Sequence, residues 1–261
     1  MAELFQDLRW THIAFGSVAL LAFWIPAIAA KGGRLHIRVG WVYVICMSVV
    51  VLPAFVMSGM AFTVPLRIRN FSQPLSADEI ARFVRRSREI GVFLAYLGGV
   101  TLAAGWQGIR VLRTRRDPQS LRGPFTLTLN FALVAAALGV FGLGIVERSG
   151  TFMGMSSVGF IVGGGNLSYL LRGPQSKMHW WYEHLSSMIA TGIAGYTAFL
   201  VFGGSRLFPA LSRTQFYALV WILPTLIGVP VIFAAVAYYQ RKFQEDGRPG
   251  GRGKLPANAL L

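Results

Sequence analysis

Acidic charge is scarce in this chain, and cysteine is nearly absent. Ten Asp and Glu stand against 25 Lys and Arg, and Cys46 is the one thiol. A single cysteine excludes an internal disulfide framework and the paired attachment site of a c-type haem. The acids fall at termini, in loops or at the ends of apolar stretches, Glu147 and Glu183 among them. A transporter coupled to protons or cations needs a carboxylate within the bilayer, so that class is disfavoured. There is no phosphate-binding loop, no dinucleotide fingerprint after a strand and no serine nucleophile elbow. The N-terminus carries Glu3 and Asp7 in place of a basic n-region, so a cleaved signal peptide is not expected, although Ala27-Ile28-Ala29 resembles a cleavage site.

What fills the chain is apolar. Hydrophobic residues make up 54% of it and charged ones 13%, which puts most of the protein in lipid. Runs of roughly 20 residues, enough to cross about 30 Å of hydrocarbon, predict an all-α, polytopic membrane bundle of about seven spans. They lie near 10–30, 39–63, 91–112, 125–146, 151–171, 183–204 and 217–239. The fifth is the weakest, because Gly154, Gly159, Gly163, Gly164 and Gly165 lower its helix propensity while suiting close helix contact. Pro26, Pro53, Pro224 and Pro230 fall inside spans and predict kinks that a bundle tolerates. Residues 1–243 are expected to form one transmembrane bundle. Between spans two and three, Ser76 or Asp78 is a candidate cap for an amphipathic helix over about 76–90 lying on the membrane surface. The Gly- and Pro-rich tail, 244–261, is expected to be disordered.

The net charge of +15 resembles a nucleic-acid signature, but the basic residues sit between apolar spans and not along one soluble face. Anionic lipid headgroups are the simpler partner, and no nucleic acid is expected. With the N-terminus outside, fifteen of the 25 Lys and Arg fall on the inner side, and six of the remainder lie in the single loop 65–90. The positive-inside rule therefore favours an N-out, C-in protein of the bacterial cytoplasmic membrane.

Chemistry points to the histidines. His179 and His184 open the sixth span, beside Trp180, Trp181 and Tyr182, aromatics that favour a membrane–water interface. On a helix, His184 shares a face with Met188, Thr191 and Gly195, while His179 shares its face with Glu183. Span parity places His36, His179 and His184 in one leaflet. His12 opens span one at the other surface, about 27 Å from Ala30 at 1.5 Å per residue. His36 and His184 suit two axial imidazoles of a b-type haem. All three same-side histidines alternatively suit zinc or copper with an open fourth position. Arg34, Arg38 and Arg172 stand near that surface, where they would pair with haem propionates or simply set topology. Asn130, Asn166 and Gln107 are the amides within spans, and hydrogen bonds between helices account for them.

The segments THIAFGSVALLAF (11–23), HIRVGWVYV (36–44) and WYEHLSSMIATGIAGYTAFLV (181–201) resemble an uncharacterised family of bacterial multi-pass membrane proteins. The resemblance implies a seven- or eight-helix bundle, with His12, His36 and His184 at the family's histidine positions and Gly16, Arg38 and Gly40 beside them. In that family arginine usually follows the second histidine directly; here Ile37 intervenes, which turns Arg38 by about 100° around the helix. The family brings no established activity, so function rests on the histidines. The leading expectation is a redox protein holding haem b, or zinc or copper, through His36 and His184, with His179 behind them or as a third ligand. The alternative is a non-catalytic accessory subunit of a larger membrane complex, packed on partner helices or on copies of itself.

Overall fold

A computed structural model of the chain describes residues 1–71, 73–204 and 217–245. Among them the chain forms seven α-helices and no strand: α1 (Ala2–Ile28), α2 (Arg34–Thr63), α3 (Ala77–Arg113), α4 (Pro124–Val146), α5 (Gly150–Arg172), α6 (His179–Ala198) and α7 (Tyr217–Lys242). A π-helical stretch, Phe199–Gly204, prolongs α6. Six of these helices, all but α5, are long and apolar enough to cross a membrane. Helix α5 matches α4 in length at 23 residues but is less apolar, because glycine, serine and Asn166 replace the Leu, Val and Ala of α4.

Contacts between residues divide the chain into two compact units. The first comprises 1–102 and 133–160, the second 103–132 and 161–261. Each is described by itself.

In the first unit α1 and α2 form a hairpin. Gly32 turns the chain at φ +76°, a left-handed conformation that glycine adopts without steric penalty. A helix leaves its last carbonyls without intrahelical partners. At the end of α1 the Lys31 ammonium donates to Pro26 O (2.8 Å) and Ala27 O (2.6 Å), and His36 Nδ1 meets Pro26 O at 3.0 Å. Ser76 caps α3 through a reciprocal box: Ser76 N–H and Oγ–H donate to Glu79 Oε2 (2.9 and 2.8 Å), and Glu79 N–H donates back to Ser76 Oγ (3.3 Å).

The amphipathic segment predicted over 76–90 is helical, but it does not lie apart from span three. It runs without a break into the rest of α3, a helix of 37 residues and so about 55 Å long. Gly91, inside this helix, serves packing. A Cβ there would stand 2.9 Å from Ser58 O, and one at Gly98 would stand 3.4 Å from the Phe55 ring, so two glycines seven residues apart bring α3 onto α2.

Helix α5 enters this unit through Tyr96. Its hydroxyl accepts from Gly159 N–H (2.7 Å) and faces Met155 O (2.9 Å) and Ser156 O (3.1 Å) as donor. The glycine-rich stretch thus makes a close approach at Gly159, while Gly154, Gly164 and Gly165 have open space where a Cβ would stand.

In the second unit Val111, Leu121, Tyr169 and Leu170 form a buried core, with Leu127, Leu167 and Trp180 packed against it. Arg122 caps the end of α5 by donating from Nε to Leu170 O (2.6 Å). Trp181 packs against Tyr239 with ring centroids 4.0 Å apart, which seats α6 on α7. The sequence's expectation of a disordered tail falls mostly on 246–261, outside the described residues. Its start is anchored: the Glu245 carboxylate accepts from Ser176 Oγ (2.6 Å), Met178 N (2.9 Å) and Tyr182 Oη (2.9 Å).

Adding one methyl group separates the two kinds of glycine. A Cβ at Gly159 would meet Tyr96 Oη at 2.5 Å and Ala137 at 3.0 Å. Gly159→Ala is therefore expected to destabilise the folded protein by about 1–3 kcal/mol through overpacking, and Gly154→Ala by much less. Thermal unfolding in detergent checks this, and equal midpoints for the two variants would contradict the packing described.

Candidate functional site

Three of the four histidines share one geometry. His12 Nδ1 lies 2.9 Å from Val50 O, His36 Nδ1 lies 3.0 Å from Pro26 O, and His184 Nδ1 lies 2.7 Å from Gly108 O. A carbonyl oxygen can only accept, so each of these rings carries its proton on Nδ1. In the neutral ring Nε2 then holds the lone pair. A hydrogen bond from Nδ1–H to a backbone carbonyl is the arrangement that fixes tautomer and orientation in imidazole ligands generally.

Each carbonyl also stands where a donor can reach it. Pro26 O belongs to the unpartnered end of α1. Val50 O lies in the turn before Pro53, beside Val49 O, which the missing N–H of Pro53 leaves without its intrahelical donor, and the helix is loosened there. Gly108 O is reached across the α3–α6 contact because residue 108 has no side chain. A Cβ there would stand 2.8 Å from Met188 Sδ and 3.1 Å from Ser187 Cβ. The face that the sequence assigns to His184, with Met188 and Thr191, is thus the face that packs on α3.

His179 differs. Its Nδ1 accepts from Gln175 N–H at 2.9 Å, so the ring's proton sits on Nε2, which lies 3.7 Å from Glu183 Oε1. Its ring meets Tyr169 edge-on at 4.9 Å. Nδ1 is thus engaged within the turn that starts α6, while Nε2 faces the Glu183 carboxylate.

Around Glu183 the second unit holds a buried polar cluster. Gln107, wholly buried, donates from Nε2 to Glu183 Oε2 at 3.4 Å, and its own Oε1 is buried without a hydrogen bond. One turn away, Trp106 Nε1 donates to Thr126 Oγ1 (3.0 Å), Asn130 Nδ2 to Thr126 O (2.8 Å), and Asn166 Nδ2 to Asn130 Oδ1 (2.8 Å). The amides within spans do link helices, as the sequence leads one to expect. Buried hydrogen-bonded networks of this kind fix one packing among many.

His36 belongs to the first unit, and His179 and His184 to the second. Among the described residues, no group of three or more His, Cys, Asp or Glu side chains is gathered to hold a metal ion. The three-histidine zinc or copper site expected from span parity therefore does not appear as such a group. Parity fixes which leaflet a residue reaches, not which helices are neighbours. Arg34, Arg38 and Arg172 are all exposed. Comparison with models of known protein families, with curated proteins and with solved structures finds no match.

Two features here were not foreseen from the sequence. One is the three-way hold of Glu245 on the start of α6; the other is the hydroxyl of Tyr96 between α3 and α5. For Tyr96 a signal existed, since a phenol in the middle of an apolar span must find a partner. For Glu245 there was none.

The His184 brace gives a graded test. Removing its hydrogen bond in His184→Ala is expected to destabilise the protein by about 1 kcal/mol. Gly108→Val, which also drives α6 away, should do more. Gly105→Ala, whose Cβ would rest 3.7 Å from Thr191, should leave the thermal midpoint nearly unchanged. If Gly108→Val is as stable as the parent protein, the close α3–α6 approach is wrong.

Proposed function

We propose that this is a multi-pass protein of the bacterial cytoplasmic membrane, N-out and C-in, that binds haem b through an anchored histidine and takes part in electron transfer. One observation carries the reading: the Nδ1–H to carbonyl anchorage of His184 and of His36, each at 3.0 Å or less. An imidazole so held has a fixed tautomer and ring orientation, with little orientational freedom left to lose on ligation. Arg34 and Arg38, flanking His36 on α2, supply cations for propionate groups. The haem would supply a one-electron couple; the chain's residues would set its orientation, and the apolar helices would exclude water from its plane. Zinc or copper is the alternative occupant at the same nitrogens. With α5 counted, the helices make the seven spans of this topology. The resemblance carried by 11–23, 36–44 and 181–201 belongs to the same proposal.

A second reading has its own support. His12 has the same anchorage as His36, at the opposite end of the α1–α2 hairpin, where a shared ligand role does not arise. Nδ1 anchorage then serves helix packing throughout, and the chain is an accessory subunit. Helix α7 fits such a role, since only 6% of its apolar window is buried and Leu226, Ile227 and Phe233 are exposed. Lipid or partner helices would cover them.

A dithionite-reduced minus oxidised spectrum of detergent-purified protein, with metal analysis of the same sample, separates the two. The haem reading predicts a Soret shift and sharp α and β bands that disappear in His184→Ala, in His36→Ala, or in both. A flat spectrum with stoichiometric zinc or copper moves the occupant to a metal. Neither signal in folded protein sinks the redox reading and leaves the accessory subunit.

A further inference from the structure

Outside the histidines, the first unit holds a groove of about 420 Å³ where the end of α2, the first half of α3 and the end of α4 meet. Phe62, Val92 and Leu143 line its apolar part, and Arg85, Arg88, Glu89 and Glu147 its polar part. Its position follows from the sequence. The apolar runs of α2 and α4 stop at Thr63 and Val146, and that of α3 starts after Ile90. In a bilayer, ends of apolar runs such as these would stand at headgroup level, where a groove is half facing acyl chains and half facing water.

The four charges are arranged as two signs. Arg85 and Arg88 lie three residues apart on α3 and share a face. The Arg85 side chain is 72% exposed, and Arg88 uses Nε on Phe62 O (3.2 Å), which leaves its terminal NH₂ groups on the outer side of that bond. Glu89 is only 19% exposed; its Oε1 lies 3.4 Å from Arg85 Nε, yet that oxygen is buried without a hydrogen bond. Glu147 follows α4, and its carboxylate makes no hydrogen bond or ion pair among the described residues. The acids carry unfilled acceptor capacity, the arginines unfilled donor capacity, and the four formal charges sum to zero.

A neutral but charge-separated site next to apolar surface suits a neutral but charge-separated amphiphile. We propose that this groove binds a phosphatidylethanolamine headgroup, with the phosphate on Arg85 and Arg88, the ammonium on Glu89 and Glu147, and an acyl chain along Phe62, Val92 and Leu143. Hydrogen bonds in which both groups are charged are about twice as strong as neutral ones, and an ammonium with three N–H donors can satisfy both carboxylates. A choline headgroup has the charge but no N–H donor. An anionic headgroup meets the arginines but leaves the buried Glu89 oxygen unpaired.

The test is lipid retention. Full-length protein is reconstituted into vesicles of equal parts phosphatidylethanolamine, phosphatidylcholine and phosphatidylglycerol, re-extracted in mild detergent and weighed by native mass spectrometry. Ethanolamine lipid is expected to be retained about tenfold over choline lipid, the ratio set by about 1.4 kcal/mol. Glu147→Gln should reduce that ratio severalfold, and Glu89→Gln combined with Glu147→Gln should turn retention towards phosphatidylglycerol. Arg85→Ala should lower retention of all three lipids, while Arg86→Ala, an exposed arginine outside the groove, should change nothing. Equal retention of the three lipids by the parent protein overturns the proposal. So does an unchanged ethanolamine preference in Glu147→Gln, a residue whose carboxylate supports no other contact.

Discussion

A backbone carbonyl in an apolar solvent must find a donor, and this structure is arranged around that demand. Helices satisfy most carbonyls internally, and their ends and proline-loosened turns are where the remainder collects. The chain meets it there with long-range side-chain donors: Lys31 and His36 on the end of α1, His12 on α2 before Pro53, Arg122 on the end of α5. His184 adds a donor to a carbonyl near the C-terminal end of α3, through the gap that Gly108 leaves. Imidazole suits this work because it is a donor that carries no obligatory charge into lipid. The same bond that braces a helix also fixes which ring nitrogen holds the lone pair, so a packing device and a ligand-orienting device are one geometry.

Where polar donors are absent, close approach is achieved by small residues. Gly91 and Gly98 bring α3 onto α2, Gly105 and Gly108 bring it onto α6, and Gly159 admits the Tyr96 hydroxyl. Packing of this kind replaces the hydrophobic driving force that lipid removes, since helix association in a bilayer rests on van der Waals contact and a few hydrogen bonds. The Asn130–Asn166 pair and the Gln107–Glu183 contact add specificity to that fit.

The helices themselves were legible in the sequence, because length and apolarity are local properties. All seven expected stretches are helical, and the glycine-rich fifth is the one that falls short of the apolarity needed to cross a membrane. The Ser76 cap was legible for the same reason, as its box spans four residues. The separate surface helix over 76–90 was misread because its charged, amphipathic composition differs from that of span three, whereas the backbone of α3 continues through both. The candidate site was legible as a set of residues but not as a geometry. Parity grouped His36, His179 and His184 by leaflet, whereas the backbone group each ring meets is set by the fold: Pro26 O for His36, Gln175 N–H for His179 and Gly108 O for His184. His179 was already set apart from His184 by the face it shares with Glu183, and a backbone N–H four residues earlier, at Gln175, adds to the difference.

The most direct measurement of this account is the protonation of the ring nitrogens. Nitrogen-15 NMR of protein labelled at histidine, assigned by single His→Gln variants, distinguishes a protonated ring nitrogen from one with a lone pair. The account predicts that His12, His36 and His184 carry the proton on Nδ1 with Nε2 unprotonated, and that His179 shows the reverse. A spectrum in which His36 and His184 carry it on Nε2 would contradict both the braces and the ligand geometry built on them.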